Sequence, residues 1–280
     1  MVVGVSGAGG FIGTHLCAAL RARRDEVIET SLRDPQQAAS HAARCDAFIN
    51  LSGEPLAQRW NERVKREVLE SRTAAPARFF EALAELGRKP AVYVSASAIG
   101  YYGTSETETF TETSAPGDDF LARVCVEWER TAQRAGDLGM RVACVRAGLV
   151  LGRDGGALAK LLPVFRAGTG GRTGSGRQWY SWIHIDDAVG VYLLALDGLS
   201  GAINATAPNP VRNAAFAEAL AHVLRRPAAL PAPAFAIKLA LGEGATIVLD
   251  GQRVLPERAL SQGYAFAFSS IDAALADLLR

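Results

Sequence analysis

At 280 residues, with 49% apolar and 21% charged side chains, the chain has an ordinary globular composition and length enough for one large α/β domain, or such a domain with a smaller lobe. Lys and Arg number 30 against 29 Asp and Glu, so no global field favours nucleic acid or an anionic membrane as a partner. The opening Met1-Val2-Val3-Gly4-Val5-Ser6 has no basic region or cleavage site, and no apolar stretch reaches the roughly 18–20 residues of a membrane span. A cytoplasmic location is the expectation. Cys17, Cys45, Cys125 and Cys144 stand apart without metal-ligand spacing and read as small buried hydrophobes, so no metal site is expected.

In chain order, the first apolar run, 2–6, is a strand. It leads into Ser6-Gly7-Ala8-Gly9-Gly10-Phe11-Ile12-Gly13 and then a helix over 11–24. A glycine turn between strand and helix lets the backbone approach a pyrophosphate, and the helix start offers free N–H groups and a positive dipole end. Ile12 stands where GxGxxG needs its last glycine, so the pattern is GxxGxxG on Gly7, Gly10 and Gly13. A second strand, 26–32, runs to Arg33-Asp34. At its tip an acidic residue binds a ribose 2′-OH, whereas arginine favours a 2′-phosphate. Leu32 holds the acidic position and Arg33 follows, which favours NADP(H) over NAD(H), although Asp34 keeps NAD(H) open.

Further strands are expected at 47–51, 91–95 and 141–146, with helices at 61–86 and 119–135. Val64, Val68 and Leu69 carry the helical spacing in the first of these helices. The strands are rich in Val, Ile and Ala without clean alternation, as strands covered on both faces are. After Gly152 the texture changes. A helix over 157–166 precedes a glycine-rich loop, 168–177. The run Trp179-Tyr-Ser-Trp-Ile-His-Ile-Asp-Asp187 then enters another helix, with Asp186 or Asp187 able to cap it. Pro208, Pro210, Pro227, Pro231 and Pro233 punctuate the rest. The organisation read from this pattern is 1–207 and a small mixed lobe at 208–280, with the substrate-side loop inside 151–185.

Taken together, Gly7-x-x-Gly10-x-x-Gly13, Asn50-Leu-Ser-Gly-Glu-Pro55, Ser95-Ala-Ser-Ala-Ile-Gly-Tyr-Tyr-Gly103 and Trp182-Ile-His-Ile-Asp-Asp187 resemble the extended or atypical short-chain dehydrogenase/reductases of the NAD-dependent epimerase/dehydratase family. Pro116-Gly-Asp-Asp-Phe-Leu121, Leu151-Gly-Arg-Asp-Gly-Gly-Ala-Leu158, Gly174-Ser-Gly-Arg-Gln-Trp179, Asn204-Ala-Thr-Ala-Pro208 and Gly251-Gln-Arg-Val-Leu-Pro256 are similar to a subfamily labelled nucleoside-diphosphate-sugar epimerases. The resemblance spans essentially the whole chain. It implies an α/β fold: a Rossmann-like, doubly wound parallel sheet of seven strands with a small C-terminal substrate lobe. It also implies pyrophosphate contacts at Gly7, Gly10, Phe11, Ile12 and Gly13 and a 2′-phosphate contact at Arg33. Leu51, Ser52 and Gly53 would lie along the adenosine and its ribose. Dimers are common in the group, which makes a homodimer one implied assembly.

The resemblance also exposes a departure. In this superfamily a Ser or Thr after the fourth strand works with Tyr-x-x-x-Lys on a helix; the Tyr exchanges the substrate proton, and the Lys lowers its pKa and holds the nicotinamide ribose. Ser97 occupies the Ser position, but the Tyr and Lys positions fall on Leu121 and Cys125, and no Tyr-x-x-x-Lys occurs anywhere in the chain. Tyr101, with Ser97, is the alternative catalytic pair, although Tyr101 and Tyr102 can equally be packing residues. Arg146 or Arg177 would supply the cation, unless Arg146 is a buried structural pair. Arg172, Arg177, Gln178 and Trp179 place polar and ring-binding groups on a loop that either covers the substrate crevice or merely connects; Tyr102, Arg146, Arg177 and Trp179 are the substrate-side residues. His184 is read as structural rather than as a metal ligand or relay. These readings point to an NADP(H)-dependent oxidoreductase or sugar-nucleotide epimerase acting on a small, polar, anionic substrate such as a nucleotide sugar. The missing motif keeps open a non-catalytic NADP(H)-binding sensor or partner-binding module.

Overall fold

Short apolar runs pair side by side at the centre of the computed structural model, which describes residues 1–228 and 230–280. Strands β1 (Val2–Ser6), β2 (Glu26–Thr30), β3 (Ala47–Asn50) and β4 (Val92–Ala98) alternate with helices α1 (Phe11–Ala22), α2 (Pro35–Ala42), α3 (Glu62–Glu70) and α4 (Ala74–Ala84). There follow β5 (Thr109–Phe110), α5 (Phe120–Asp137), β6 (Arg141–Ala147), β7 (Leu149–Leu151), α6 (Gly156–Arg166), β8 (Trp179–Tyr180), β9 (Trp182–His184), α7 (Ile185–Asp197) and β10 (Gly201–Ala205). The chain ends through β11 (Val211–Arg212), α8 (Asn213–Leu224), α9 (Ala234–Leu241), α10 (Thr246–Leu249), β12 (Arg253–Val254), α11 (Glu257–Ser261) and α12 (Ile271–Leu278).

The main sheet is parallel throughout, in the order β10-β6-β4-β3-β1-β2. It is Rossmann-like, with six strands among the described residues where the resemblance implies seven. Between β2 and β3 the chain passes through α2 and adds no edge strand, so β2 closes that side. The strand order therefore reverses at β1 and β3. Beyond the carboxyl ends of those two strands lies the switch-point crevice where open α/β sheets take their ligands.

Both faces of the sheet are covered, which is why its strands read as continuous apolar runs. Leu16, Leu20, Ala188, Val191 and Tyr192, from α1 and α7, pack with Val3, Val5 and Val145 in one buried cluster. Ala38, Ala42, Phe79, Phe80, Leu83 and Ala135, from α2, α4 and α5, pack with Phe48, Tyr93 and Cys144 in another. The four cysteines are buried and unpaired. No helix among the described residues is long and apolar enough to cross a membrane.

Four departures from the sequence expectation bear on how the sheet is built and covered. The helix expected over 61–86 is two, α3 and α4: the Ser71 and Thr73 hydroxyls bond back to Val68 and Leu69 carbonyls, and Pro76 fits only a first helical turn. Helix α2 escaped the periodicity reading because it has a single turn of buried alanines, yet Asp34 caps it through Gln37 N–H at 3.0 Å and Pro35 opens it. Strand β10, Gly201-Ala-Ile-Asn-Ala205, joins the sheet edge although it was not among the expected strands. Helix α7 is capped by neither aspartate but by His184, whose Nδ1 accepts the Asp186 N–H at 3.1 Å.

His184 is structural in its contacts. Its ring is buried, stacks on Phe268 at 4.0 Å between centroids, and has its pKa lowered by burial against the opposing pull of Asp186 and Asp277. Asp187 is buried as well and accepts the Ala267 and Phe268 N–H groups at 2.9 Å each, tying the C-terminal segment to α7. The C-terminal residues interlock with earlier ones: β11 pairs antiparallel with β8, and β12 parallel with β5.

Candidate functional site

The glycine turn is built so that only backbone fits between β1 and α1. Gly7 adopts φ +81°, and a side-chain carbon there would lie 3.0–3.1 Å from the Leu51 and Ser52 backbone. At Gly13 an added carbon would sit 2.2 Å from the Gly7 carbonyl oxygen, which no backbone tolerates. Gly10 N–H bonds to Gly7 O at 3.0 Å and closes the turn. Gly10 is also the cap residue of α1 and supplies no side chain, so the first N–H groups of the helix have no side-chain acceptor. An anion at that point would meet unpaired N–H groups at a positive dipole end.

The loop after β3 meets this turn. Ser6 and Ser52 hydroxyls are hydrogen-bonded across the switch point, and Asn50, fully buried, accepts the Ser52 N–H at 3.1 Å. Leu51 and Ser52 thus stand beside Gly7 at the two strand ends, and Gly53 follows them, packed against the Arg72 guanidinium. Phe11 has its ring lodged in the turn between β7 and α6, where carbons added at Gly152 and Gly155 would strike it at 2.4–2.6 Å. The Leu151-Gly-Arg-Asp-Gly-Gly string is therefore explained by close packing on α1; Phe11 has only its backbone to give a ligand.

At the tip of β2, Leu32 is turned into the core with Ala38, Phe48 and Phe79. Asp34 spends its carboxylate on the α2 cap. Arg33 is exposed, and no ion pair among the described residues uses its side chain. The residues present thus fit a dinucleotide, with a free guanidinium rather than a free carboxylate at its adenosine end.

Ser97 lies near the carboxyl end of β4, in register with Arg146 on β6, which is in turn in register with Asn204 on β10. This row is wired together. The Ser97 hydroxyl donates to Glu129 Oε1 at 2.7 Å, and Arg146 grips the same carboxylate through Nε at 2.7 Å and Nη2 at 2.8 Å. Arg146 Nη1 then donates to the Tyr102 oxygen at 2.9 Å, and the Tyr102 hydroxyl to Asn204 Oδ1 at 2.7 Å. Burial lowers the Arg146 pKa, but the Glu129 hydrogen bonds more than offset this and hold it above the ordinary value. Burial pushes the Tyr102 phenol up to about 12 despite the neighbouring Arg146. Tyr102 and Arg146, expected on the substrate side, are both buried and bonded to each other. Tyr101 is half-buried, with the Arg146 guanidinium carbon 3.4 Å from its ring centroid, and its hydroxyl makes no hydrogen bond among the described residues.

Leu121 and Cys125 face the same strand end from α5: both approach Gly100, just after β4. Burial pushes the Cys125 thiol up to about 12, so it is no anion. Glu129, one turn further along this face, was missed from sequence. Its signal was positional, since residues 121, 125 and 129 share one helix stripe.

Arg177 and Trp179 both meet Glu106. Trp179 has Arg212 at 3.8 Å and Arg253 at 5.5 Å from its ring, and its indole N–H bonds to Glu106 O at 3.0 Å. Arg177 is exposed and lies 3.4 Å from the Glu106 carboxylate. A cavity of about 440 Å³ lined by His222, Arg225, Asp272 and Arg280 lies elsewhere and shares no residue with this edge.

A parallel sheet whose order reverses at β1 and β3, with an uncapped helix behind a glycine turn there, defines a Rossmann-type dinucleotide-binding fold. The chain belongs to the NAD dependent epimerase/dehydratase family, whose model matches residues 3–205; a second model, a domain of unknown function (DUF1731), matches residues 232–278. The epimerase family protein SDR39U1 homolog, chloroplastic, of Arabidopsis thaliana is 43% identical across 100% of this chain and 87% of its own length. The crystal structure of human epimerase family protein SDR39U1 (isoform 2) with NADPH is similar at a TM-score of 0.91 and 38% identity, covering 99% of each chain. A UDP-glucose 4-epimerase from Thermus thermophilus, in complex with NAD, shares the fold at a TM-score of 0.79 and 19% identity, covering 99% of this chain and 98% of its own.

Proposed function

We propose that the chain binds NADP(H) in preference to NAD(H) across the β1/β3 switch point and works as an oxidoreductase or epimerase on a small, polar, anionic substrate. The observation that carries the cofactor reading is the pairing of a free, exposed Arg33 with an Asp34 already committed to capping α2. The NADPH in the structure of the human relative supports it. Gly7, Gly10 and Gly13 would admit the pyrophosphate to the N–H groups of Phe11, Ile12 and Gly13, and Leu51–Gly53 would flank the ribose.

Bound there, the nicotinamide would supply hydride exchange with a substrate carbon. The chain's own part is to hold and move the proton. The Ser97 hydroxyl hydrogen is engaged by Glu129, so its oxygen is left as an acceptor and suits a substrate hydroxyl better than a carbonyl. A proton from that hydroxyl would pass to Ser97 as Ser97 gives its own to Glu129 along the 2.7 Å bond. Tyr101 stands beside them with its hydroxyl free. Arg177 and the Trp179–Arg212 stack would receive the anionic end and a flat ring of the substrate, as a nucleotide sugar has.

The test is hydride exchange between NADPH or NADP⁺ and a panel of sugar nucleotides, carbonyls and alcohols. The expected result is turnover of at least one member, reduced at least about 100-fold by Ser97→Ala with cofactor binding intact. Failure with every member would favour an NADP(H)-binding module without turnover, the reading that Leu121 and Cys125 in the Tyr and Lys positions supports.

A further inference from the structure

The charge balance of the whole chain conceals a local asymmetry. Residues 155–185 and 219–242 contain no Asp or Glu, yet besides Arg177 they carry Lys160, Arg166, Arg172, Arg225, Arg226 and Lys238. The two stretches meet in the fold. Ala232 N–H bonds to Arg172 O and Gly174 N–H to Ala232 O, each at 2.9 Å, and a carbon added at Gly171 would strike the Leu230 backbone at 2.4 Å. The large apolar side chains that stand exposed among the described residues are Met1, Leu260 and, all within these stretches, Val164, Leu230, Phe235 and Leu239.

Helix α9 is the centre of this surface. It reads Ala-Phe-Ala-Ile-Lys-Leu-Ala-Leu and buries none of its residues; Phe235 is 74% exposed and Leu239 73%. Main chain at its end holds it in place. Gly242, at φ +61°, turns its N–H back to Lys238 O at 2.8 Å; Arg59 donates to Leu239 O at 2.8 Å and Trp60 N–H to Leu241 O at 3.2 Å. Phe235, Lys238 and Leu239, at helical spacing, share the outward face, while Ala234, Ile237 and Leu241 are half-buried on the other. The first acid after the helix, Glu243, is engaged by Lys65.

We propose that this face lies on an anionic lipid surface, with Phe235 and Leu239 entering the headgroup–acyl boundary and Lys238 and the neighbouring arginines meeting lipid phosphates. The inference is independent of the cofactor reading. An apolar stripe set among cations and free of carboxylates is the complement of an anionic bilayer, which takes up the apolar side chains and answers the charge. A second copy of the chain is a poorer match. An eight-residue helix is about 12 Å long and falls short, alone, of the about 1,200 Å² that a stable interface buries. Pairing the two whole stretches would set cation against cation.

The test is co-sedimentation of the full chain with vesicles of phosphatidylcholine alone and of phosphatidylcholine mixed with phosphatidylserine, beside Lys238→Glu and the double variant Phe235→Ser with Leu239→Ser. The parent is expected to bind the mixed vesicles at least about tenfold more tightly than the neutral ones, and either variant to weaken that binding at least about tenfold. These side chains point outward, so both variants are expected to melt as the parent does, which separates lost docking from lost fold. A parent without preference for the anionic vesicles overturns the proposal, as does binding that survives the double serine variant. A parent that ignores both vesicles but dimerises in sedimentation velocity, and loses this in the double variant, assigns the face to a second copy and overturns it as well.

Discussion

Arg146→Met is expected to destabilise the fold by about 3–5 kcal/mol, because it removes one half of a buried ion pair. The Glu129 side chain is 14% exposed and that of Arg146 5%, and two charge-assisted hydrogen bonds, 2.7 and 2.8 Å, join them. Without the guanidinium, the carboxylate keeps only the Ser97 hydroxyl, the Tyr102 oxygen loses a donor, and the Tyr101 ring loses its cation. Urea unfolding at neutral pH measures the loss. The double variant Glu129→Leu with Arg146→Met is expected to recover most of it, since replacing both halves of a buried pair with apolar groups is often close to neutral. A single variant within about 1 kcal/mol of the parent would show that the row Ser97–Arg146–Asn204 is not held by this pair.

Gly13→Ala is expected to abolish NADPH binding, by at least about 100-fold, and to cost about 1–3 kcal/mol of stability as an overpacked site. The added methyl would stand 2.2 Å from Gly7 O and 2.7 Å from Ala8 O. Both obstacles are main chain, so α1 must move away from β1, and the N–H groups meant for the pyrophosphate move with it. A fluorescence titration with a thermal melt separates the two effects. An alanine variant that melts like the parent and binds NADPH normally would mean that the turn has slack the geometry does not show.

What could be read from the sequence was what is local. The strand–turn–helix at 2–24 is contiguous, and the strands at 47–51, 91–95 and 141–146 announce themselves as apolar runs buried on both faces. The edge of the sheet was less legible. Whether the segment after β2 adds a strand depends on pairing, and α2 is too short for periodicity to reveal, although Asp34-Pro35 was a cap signal in plain view. The connections among Ser97, Glu129, Arg146 and Asn204 were out of reach because they join residues 17 to 102 positions apart through Tyr102. Glu129 was nonetheless findable, by continuing down the helix face from Leu121 and Cys125 until a charge appeared.

The most direct test of the cofactor assignment is a titration of NADPH and NADH into the purified chain, repeated with Arg33→Ala. The parent is expected to bind NADPH at least about tenfold more tightly than NADH, and the substitution to lower NADPH affinity to that of NADH while leaving NADH nearly unchanged. Equal binding of the two by the parent, or a preference that survives Arg33→Ala, would contradict the assignment.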